Sequence, residues 1–274
     1  MSNKIYVICS RHDENLLSLY QEASYLGYEI IPFYANLFDK KFDTFYSTIT
    51  EDDYVIVLHI NFGSENLHKI VKNTKCKYFL NYKPFSHSLI GNKIYQQNQI
   101  KKIDPSLVIE TFTKNDISLL KNSLFIAKPS EGSCGNGVAL LNNKSLCVNA
   151  PEHYIYQRYI KNDGDWRVIV IGGKAVSAIK RLGKIGQATN NIATGSFAMK
   201  EDNPLVLEKI YPIAETASLS MEFDYVGIDI IKDLETDQYY FLESNERPTF
   251  ETSQILTGVN ISQKIILETI KERS

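Results

Sequence analysis

One stretch near the end of the chain, residues 226–250, restricts the fold more than any other. Two apolar runs, residues 226–231 and 239–242, flank a polar segment at residues 232–238. Short apolar runs on both sides of a polar loop are typical of a β-hairpin. The sequence therefore predicts two antiparallel strands here.

Both strands of this hairpin carry polar side chains. Asp229 lies inside the first strand, and Glu243 and Asn245 lie two apart at the end of the second, so that alternation puts the latter two on one face. If Asp229 faces Glu243, the loop holds an odd number of residues, three or five. Two carboxylates and an amide oxygen at ~5 Å spacing would form an oxygen-only site of the kind that Mg²⁺ prefers. The alternative is a surface hairpin with solvated acids.

Composition sets only broad limits. The chain has 274 residues, 43% hydrophobic and 23% charged, which is ordinary for a globular protein with two or three lobes. A net charge of −2 gives no electrostatic reason to expect a nucleic-acid or membrane partner. No signal peptide or apolar run of ~18 residues is present, so we expect a cytoplasmic protein. The four cysteines lack zinc or C-x-x-C spacing, which favours reduced thiols.

The N-terminal third has the pattern of a small layered domain. Apolar runs at residues 4–10, 29–33, 54–60 and 77–80 predict strands, and Asp13 can cap a helix that Gly27 ends. We therefore expect a βαβ-type domain. No glycine fingerprint follows its first strand, so a scaffold or a wall on the substrate side is favoured over a dinucleotide site.

A glycine-rich stretch at residues 124–141 is the second informative feature. A strand that carries Lys128 leads into a loop with Gly132, Gly135 and Gly137, and a second strand follows. Glycines let backbone N–H groups turn onto an anion, and a lysine adds a point charge for phosphate oxygens. The stretch is neither a Walker A sequence nor G-x-G-x-x-G. A plain tight turn is the alternative.

Polar side chains recur at the predicted strand ends in the rest of the chain. Asp165 and Arg167 share a face of a strand at 165–171, and Gly172 and Gly173 form a turn into a strand that Arg181 ends. The segment 182–196 has the composition of a loop that lines a site. Helices are predicted at residues 89–103, 114–122, 204–221 and 260–273, with a strand at 107–112 and another at 154–160. This layout suits a cleft that handles phosphate.

Taken together, these features resemble the ATP-grasp superfamily, and most of all its RimK-type branch of ATP-dependent carboxylate–amine ligases. The resemblance runs from about residue 81 to the C-terminus, and its parts come in family order. They are Lys93 on a helix, Lys128 before the glycine loop, the strand YQRYI, the Asp-x-Arg of Asp165 and Arg167, the TNN loop, the Asp…Glu-x-Asn set, and the closing TGVNISQKIILETIKERS.

The resemblance implies an α/β fold with α+β lobes, namely the ATP-grasp fold with an N-terminal pre-ATP-grasp domain of βαβ type. The N-terminal domain would cover residues 1–88 and the ATP-grasp domain residues 89–274. Within the latter, a glycine-loop lid lobe would occupy about 124–157, and a C-terminal lobe for metal and nucleotide about 158–274. The lid would be mobile without nucleotide.

The implied activity is an ATP-dependent ligase reaction. A carboxylate substrate, either an amino acid or a peptide, would be joined to an amine through an acylphosphate, with release of ADP and phosphate. An ATP-binding protein without ligase activity, regulatory or scaffolding, and a kinase that stops at phosphorylation are the alternatives. Relatives often form dimers or tetramers, so a homo-oligomer is also possible.

The resemblance also implies a role for individual residues. The ATP phosphates would be bound by Lys93 and Lys128. The adenine would be held at a hinge formed by Gln157, Arg158, Tyr159 and Ile160. Further nucleotide contacts would come from Asp165, Thr189, Asn190 and Asn191. Two Mg²⁺ or Mn²⁺ ions would be bound by Asp229, Glu243 and Asn245. The transferred phosphate and the substrate carboxylate would be faced by Arg167 and Arg181.

Two positions depart from the family pattern. The hinge position of Arg158 is often acidic in relatives, so adenine contact there would be through the backbone only. Arg247 and Thr249 replace small residues after the metal-ligating asparagine. A guanidinium at Arg247 could bind the substrate carboxylate through two hydrogen bonds. The alternative is a surface arginine.

Overall fold

The structure is a computed structural model, and it describes residues 4–10, 12–34, 41–58, 64–121, 124–132, 136–144, 151–183 and 197–272. These residues form three β-sheets with eight α-helices around them. None of the helices in these ranges is both long enough and apolar enough to cross a lipid bilayer.

The first sheet is parallel, with strand order β2-β1-β3-β4. Asp13 begins its first helix by accepting a hydrogen bond from the backbone N–H of Leu16 at 3.2 Å, and Gly27 follows the helix with a positive φ of 79°. The predicted βαβ-type arrangement is therefore confirmed. Its elements are β1 (Lys4–Cys9), α1 (Glu14–Tyr25), β2 (Glu29–Tyr34), α2 (Lys41–Thr48), β3 (Tyr54–Val57), α3 (Ser64–Asn73) and β4 (Tyr78–Phe79).

The second sheet is antiparallel and contains the strands on both sides of the glycine loop. Two helices precede it, α4 (Tyr82–Phe85) and α5 (Lys93–Ile103). Its strands are β5 (Thr111–Phe112), β6 (Phe125–Pro129), β7 (Ala139–Leu141) and β8 (Tyr154–Arg158), in the order β5-β8-β6-β7.

The third sheet has the order β11-β10-β9-β12-β13 and is antiparallel. One face is apolar and packs against a long helix, with Val168 and Ile228 buried against Ala214. The strands are β9 (Asp165–Ile171), β10 (Lys174–Leu182), β11 (Phe197–Lys200), β12 (Tyr225–Lys232) and β13 (Tyr239–Asn245). The helices are α6 (Pro204–Ser220), which covers the apolar face, α7 (Glu251–Thr257) and α8 (Ile261–Ile270).

The first and third sheets share one apolar core. Ile5 of β1 lies in the same buried cluster as Ile169, Tyr225 and Ile265. Ile169 and Tyr225 belong to the face of the third sheet that α6 does not cover. One end of that face is therefore buried against the N-terminal region.

The hairpin of β12 and β13 forms as predicted, but its loop was counted wrongly. Asp229 does pair with Glu243, yet the loop contains residues 233–238, an even number. The register shifts between Asp229 and Ile230, because Ile230 pairs with Phe241 and Leu242 is an extra residue. A β-bulge of this kind changes the parity of the pairing, which hydrophobic alternation does not reveal.

Three predicted elements between residues 89 and 122 are shorter than expected. The first helix begins at Lys93, because the side chain of Asn92 accepts the backbone N–H groups of Ile94 and Tyr95 and so caps it there. The strand predicted at 107–112 is reduced to β5, since Pro105 starts a 3₁₀ turn. The helix predicted at 114–122 is a single 3₁₀ turn at Ile117–Leu119.

Candidate active site

Charged side chains gather at one end of the third sheet, on the face opposite α6. Asp229 of β12 pairs with Arg167 of β9 on one side and with Glu243 of β13 on the other. Asp165 pairs with Arg181 across β9 and β10. Directly paired residues share a face of a sheet, and so do residues two apart in a strand. These five side chains therefore lie together, beside the apolar end that the N-terminal region buries.

The buried carboxylate of Asp229 is the centre of this network. Only 3% of its surface is exposed. Arg167 donates to both of its oxygens, from Nε to Oδ1 and from Nη2 to Oδ2 at 3.0 Å. Arg181 contacts Oδ2 at 2.9 Å through Nη2 and donates its Nε to Asp165 Oδ1 at 2.6 Å. Asn245 donates from Nδ2 to Asp229 Oδ2 at 3.2 Å. Two guanidinium groups thus share one carboxylate.

This pairing gives the two aspartates different pKa values. Burial alone would raise the pKa of Asp229, but Arg167 and Arg181 hold it below its ordinary value. Burial raises the pKa of Asp165 to about 6, against the opposing effect of Arg181 and with a further increase from Asp229. Although burial disfavours its charge, Asp229 and Asp165 raise the pKa of Arg181. Asp229 and Arg181 are therefore charged at neutral pH.

Two lysines lie near the second acid of the hairpin. Lys93, the first residue of α5, has its Nζ 3.4 Å from Glu243 Oε2 and donates to the backbone oxygen of Gly132 at 2.9 Å. Desolvation lowers the pKa of Lys128 to about 8, while Glu243 acts in the opposite direction and Lys93 in the same direction. The start of the glycine loop, α5 and the hairpin therefore meet at one point. Gly135 lies outside the described residues.

The hinge residues engage protein partners. Gln157 is buried and donates from Nε2 to Thr111 Oγ1 at 2.7 Å. Arg158 donates from Nη1 to Asp233 Oδ2 at 2.9 Å and lies over the ring of Tyr240, 5.1 Å from its centroid. The side chain of Arg158 is thus bound to the loop between β12 and β13. This arrangement is compatible with a backbone-only contact to a base.

Of the two further hinge residues, Tyr159 extends the second sheet and Ile160 contacts the third. The backbone N–H of Tyr159 donates to the oxygen of Leu124 at 3.1 Å. Ile160 is 4% exposed and packs in an apolar cluster with Ile231 and the partly buried Leu242. An apolar surface therefore lines the junction of these sheets.

Arg247 lies directly after the hairpin. It donates from Nη2 to Glu246 Oε1 at 3.0 Å, and the two side chains are 16% and 12% exposed. Arg247 is therefore partly buried and paired with the neighbouring glutamate. The other predicted nucleotide contacts, Thr189, Asn190 and Asn191, lie outside the described residues.

The hairpin residues have the right chemistry for a hard divalent cation. Asp229 and Glu243 are paired, and Asn245 is paired with Gly227 one step along the same face. The set offers carboxylate and amide oxygens, which suits Mg²⁺ when water and phosphate oxygens complete its shell. Across the described ranges, no group of three or more His, Cys, Asp and Glu side chains is placed to hold a metal ion. A cation bound here would therefore also need the amide oxygen of Asn245 and oxygen ligands from the phosphates of a nucleotide.

Sequence reasoning did not single out several residues of this region. Gln96 and Gln97 follow Lys93 at helix spacings of three and four and lie on the same face of α5. Gly227 lies two residues before Asp229, and a side chain there would meet Arg167. The helical spacing was visible in the sequence, whereas the contact with Arg167 depends on strand order.

Comparison with known proteins gives the same assignment at the level of the family. The model of the RimK-like ATP-grasp domain matches residues 88–270. A probable alpha-L-glutamate ligase of Parasynechococcus marenigrum is 30% identical over 165 residues, which cover 57% of this chain and 34% of that protein. The chain thus spans about a third of that relative's length. The alpha-aminoadipate–LysW ligase LysX of Sulfurisphaera tokodaii is 28% identical over 287 residues, covering 96% of this chain and 95% of that protein.

A solved structure supports the fold over nearly the whole chain. The ATP-grasp ligase PsnB, complexed with a minimal precursor, superimposes with a TM-score of 0.71 and 15% identity, covering 98% of this chain and 99% of that one. The family match takes in all of the second and third sheets. As the order of its motifs predicted, the chain belongs to the RimK-like ATP-grasp family.

Proposed function

We propose that this protein is an ATP-dependent carboxylate–amine ligase that forms an amide or peptide bond and releases ADP and phosphate. The observation that supports this most is the charged end of the third sheet, where Arg167, Arg181 and Asp229 form a buried network beside Lys93 and Glu243. Burying such a cluster costs free energy, and ionisable side chains with perturbed pKa values gathered in one buried place often mark a functional site. In a RimK-like ATP-grasp chain, the ligand expected for such a cluster is a nucleoside triphosphate.

The lysines and arginines have distinct proposed roles. Lys93 and Lys128 bind the ATP phosphates beneath the glycine loop. Arg167 and Arg181 face the transferred phosphate, and Arg181 also faces the substrate carboxylate. Transfer of a γ-phosphoryl group depends mainly on positioning and on neutralisation of charge. Four cations at one end of a sheet can provide both.

The hinge and the neighbouring polar residues bind the rest of the nucleotide in this proposal. The adenine lies against the hinge, with the apolar side of Ile160 and the backbone of Arg158 as its contacts. Gln157 and Tyr159 complete the hinge. Asp165 acts on the nucleotide site by accepting a hydrogen bond from Arg181 and so orienting its guanidinium. Thr189, Asn190 and Asn191, which lie outside the described residues, are proposed as nucleotide contacts because the resemblance implies them.

Asp229, Glu243 and Asn245 hold two divalent cations, Mg²⁺ or Mn²⁺. When bound, these ions offset the negative charge of the phosphate oxygens. Arg167 and Arg181 pair with Asp229, and Lys93 pairs with Glu243. Each acid of the hairpin thus has a positively charged partner within the protein.

The proposed reaction has two steps. A carboxylate oxygen of the substrate attacks the γ-phosphorus, the bond from that phosphorus to the bridging oxygen breaks, and ADP forms with an acylphosphate. The amine nitrogen then attacks the acyl carbon, the bond to the phosphate oxygen breaks, and the amine loses a proton. Water must be excluded meanwhile. The lid lobe at about residues 124–157 would do this by closing over the site.

The relatives suggest the class of substrate. Their names indicate L-glutamate, alpha-aminoadipate and the protein LysW. We infer an acidic amino acid or peptide as the carboxylate substrate, with residues 1–88 forming its wall. Arg247 binds the substrate carboxylate, which replaces Glu246 as the partner of its guanidinium. Replacing Arg247 with Ala should then raise the KM of the acid much more than that of ATP.

ADP release tests the proposed function. The purified protein is given Mg²⁺ and ATP with L-glutamate, alpha-aminoadipate, other amino acids and short peptides, each alone and with an amine. Glu243→Gln is the control, because it keeps the size of the side chain and removes a metal-ligating charge. ADP that forms only with one acid–amine pair, and is absent with Glu243→Gln, is the expected result.

The alternatives give different results in the same assay. A kinase would release ADP with the acid alone and yield a stable phosphorylated product. A regulatory or scaffold protein would bind ATP and release no ADP with any pair. Either pattern would contradict the ligase proposal.

A further inference from the structure

The outer edge of β13 carries the metal-ligating residues, and its backbone is buried. β13 is the last strand of the third sheet. Glu243 and Asn245 use their backbone on the β12 side, so the N–H and C=O of Ser244 point away from the sheet. Only 6% of Ser244 is exposed. Its two backbone groups therefore need partners within the protein.

The side chain of Gln96 supplies both partners. Ser244 donates its backbone N–H to Gln96 Oε1 at 3.0 Å, and Gln96 Nε2 donates to the Ser244 oxygen at 3.2 Å. Nε2 also donates to the oxygen of Ile90 at 2.9 Å, and Gln96 is 1% exposed. The amide thus pairs with Ser244 as a neighbouring strand would.

The next residue extends the same contact along the strand. Gln97 Nε2 donates to the backbone oxygens of Phe241 at 3.3 Å and Leu242 at 3.0 Å. Leu242 is the extra residue of the bulge. Two consecutive glutamines of α5 therefore hold the part of β13 where the strand is irregular.

Lys93 is on the same face of α5, three residues before Gln96. Its Nζ lies 3.4 Å from Glu243 Oε2. The helix that carries this lysine is thus bound to the strand that carries its partner. A shift of α5 relative to β13 would therefore change the distances from Lys93 to both Glu243 and Asn245.

From this geometry we infer that Gln96 is a positioning residue for the metal-ligating pair Glu243 and Asn245. By hydrogen bonding to both backbone groups of Ser244, Gln96 fixes the backbone between Glu243 and Asn245 and so the direction of their side chains. The inference rests on the proposed function, since it assumes that these two residues bind a cation with the nucleotide. Outer partners of this kind commonly change metal affinity when they are removed.

The test uses Gln96→Met, which keeps an unbranched side chain of similar size and removes both hydrogen bonds. The matched control is Gln99→Met on the same helix, because Gln99 is only partly buried and its Oε1 accepts from the exposed Lys102. Binding of Mn²⁺ in the presence of ADP is measured by electron paramagnetic resonance. Hydrogen–deuterium exchange is measured for a peptide that covers residues 240–247.

For Gln96→Met we expect the Mn²⁺ dissociation constant to rise about tenfold or more, with faster exchange in the peptide and a folded circular dichroism spectrum. Gln99→Met should match the wild type in both measurements. A residue that only closes the sheet edge would speed exchange without changing Mn²⁺ affinity. An unchanged dissociation constant in folded Gln96→Met would therefore overturn the inference.

A second variant covers the case in which Gln96→Met does not fold. Gln96→Asn keeps the amide but shortens the side chain by one methylene, so that it no longer reaches both backbone groups of Ser244, and Mn²⁺ binding should again weaken. Wild-type affinity in Gln96→Asn would overturn the inference. If the wild-type protein itself bound no Mn²⁺ with ADP, the proposed function would fail, and the inference with it.

Discussion

At the scale of single residues, the absence of a side chain at Gly227 makes room for the charged network. A Cβ there would lie 2.9 Å from Arg167 Cδ and 2.9 Å from Pro248 Cβ. The aliphatic part of the Arg167 side chain lies over Gly227, and its guanidinium reaches Asp229, which is two residues further along β12. The contact with Asp229 thus depends on a glycine that does no chemistry.

We predict that Gly227→Ala displaces Arg167 from Asp229. The added methyl group has no space, so the free energy of unfolding should fall by about 1–3 kcal/mol, and ADP release should fall with it. Urea unfolding and ADP release at a temperature well below Tm check this. Wild-type ADP release in a destabilised but folded variant would show that Arg167 keeps its place.

Lys128 should make ATP binding depend on pH. Desolvation lowers its pKa to about 8 in the free protein, whereas phosphate oxygens favour the charged form. Well below pH 8 the ammonium is already present, so Lys128 should add no pH dependence to ATP affinity there. Above pH 8 the free protein loses the proton that binding requires, and affinity should fall by up to tenfold per pH unit.

Measured dissociation constants for ATP from pH 6.5 to 9.5 test this prediction. Lys128→Arg is the control, because arginine stays charged over the whole range. Its profile should be flat between pH 8 and 9.5, whatever its absolute affinity. The same decline in both proteins would assign the pH dependence to another group.

At the scale of elements, Arg158 binds β8 to the loop that joins β12 and β13. Asp233, its partner, is 1% exposed and also accepts the backbone N–H of Glu235 at 3.0 Å. Arg158 also donates from Nη2 to Tyr240 OH at 2.8 Å. The hinge is therefore held by a side chain whose guanidinium is bound to Asp233 and Tyr240.

We predict that Arg158→Met weakens the hinge without changing the choice of base. Loss of a charged partner from a buried carboxylate should lower the free energy of unfolding by about 1–3 kcal/mol. The ratio of the KM values for ATP and GTP should stay as in the wild type. A change in that ratio would mean that the guanidinium contacts the base.

The hairpin shows how far sequence patterns reach. Alternation predicted that Glu243 and Asn245 share a face, and this is confirmed; the pairing of Asp229 with Glu243, which the sequence left as a condition, is also observed. The loop length was wrong because the bulge at Leu242 changes the register without changing the apolar pattern. Local alternation determines which side chains share a face, but it does not show where an extra residue shifts the pairing.

The arginine network lies beyond what the sequence shows. Asp165 and Arg167 are two residues apart, so their common face was predictable. Arg181 joins Asp165 to Asp229 only because β9 lies between β10 and β12. Strand order depends on the whole fold, and no local pattern encodes it. The resemblance to a family supplied the functional grouping that spacing alone could not.

At the scale of the whole molecule, Asn81 joins the N-terminal region to the third sheet. It has a positive φ of 63° and is 2% exposed. Its Oδ1 accepts the backbone N–H groups of Asp224 at 2.8 Å and Tyr225 at 3.0 Å, and its Nδ2 donates to the Tyr225 oxygen at 2.6 Å. Because of these bonds and the shared core, we expect the two regions to unfold as one cooperative unit.

We predict that Asn81→Gly, which tolerates the positive φ, lowers the free energy of unfolding by about 2–3 kcal/mol through the lost hydrogen bonds. Asn81→Ala should cost about 1–2 kcal/mol more, because alanine disfavours that conformation. Urea unfolding followed by Trp166 fluorescence checks both, since Trp166 lies in β9. An unchanged Trp166 transition would show that the two regions unfold independently.

The central claim is that the charged end of the third sheet activates a carboxylate as an acylphosphate. The most direct measurement uses the acid substrate found in the ADP-release assay, with ¹⁸O in both carboxylate oxygens, and ³¹P NMR of the phosphate released during ligation. We predict that each phosphate carries one ¹⁸O atom, because the attacking carboxylate oxygen leaves with the phosphorus. Unlabelled phosphate, formed while the amide product accumulates, would contradict the acylphosphate and the roles proposed for Arg167 and Arg181.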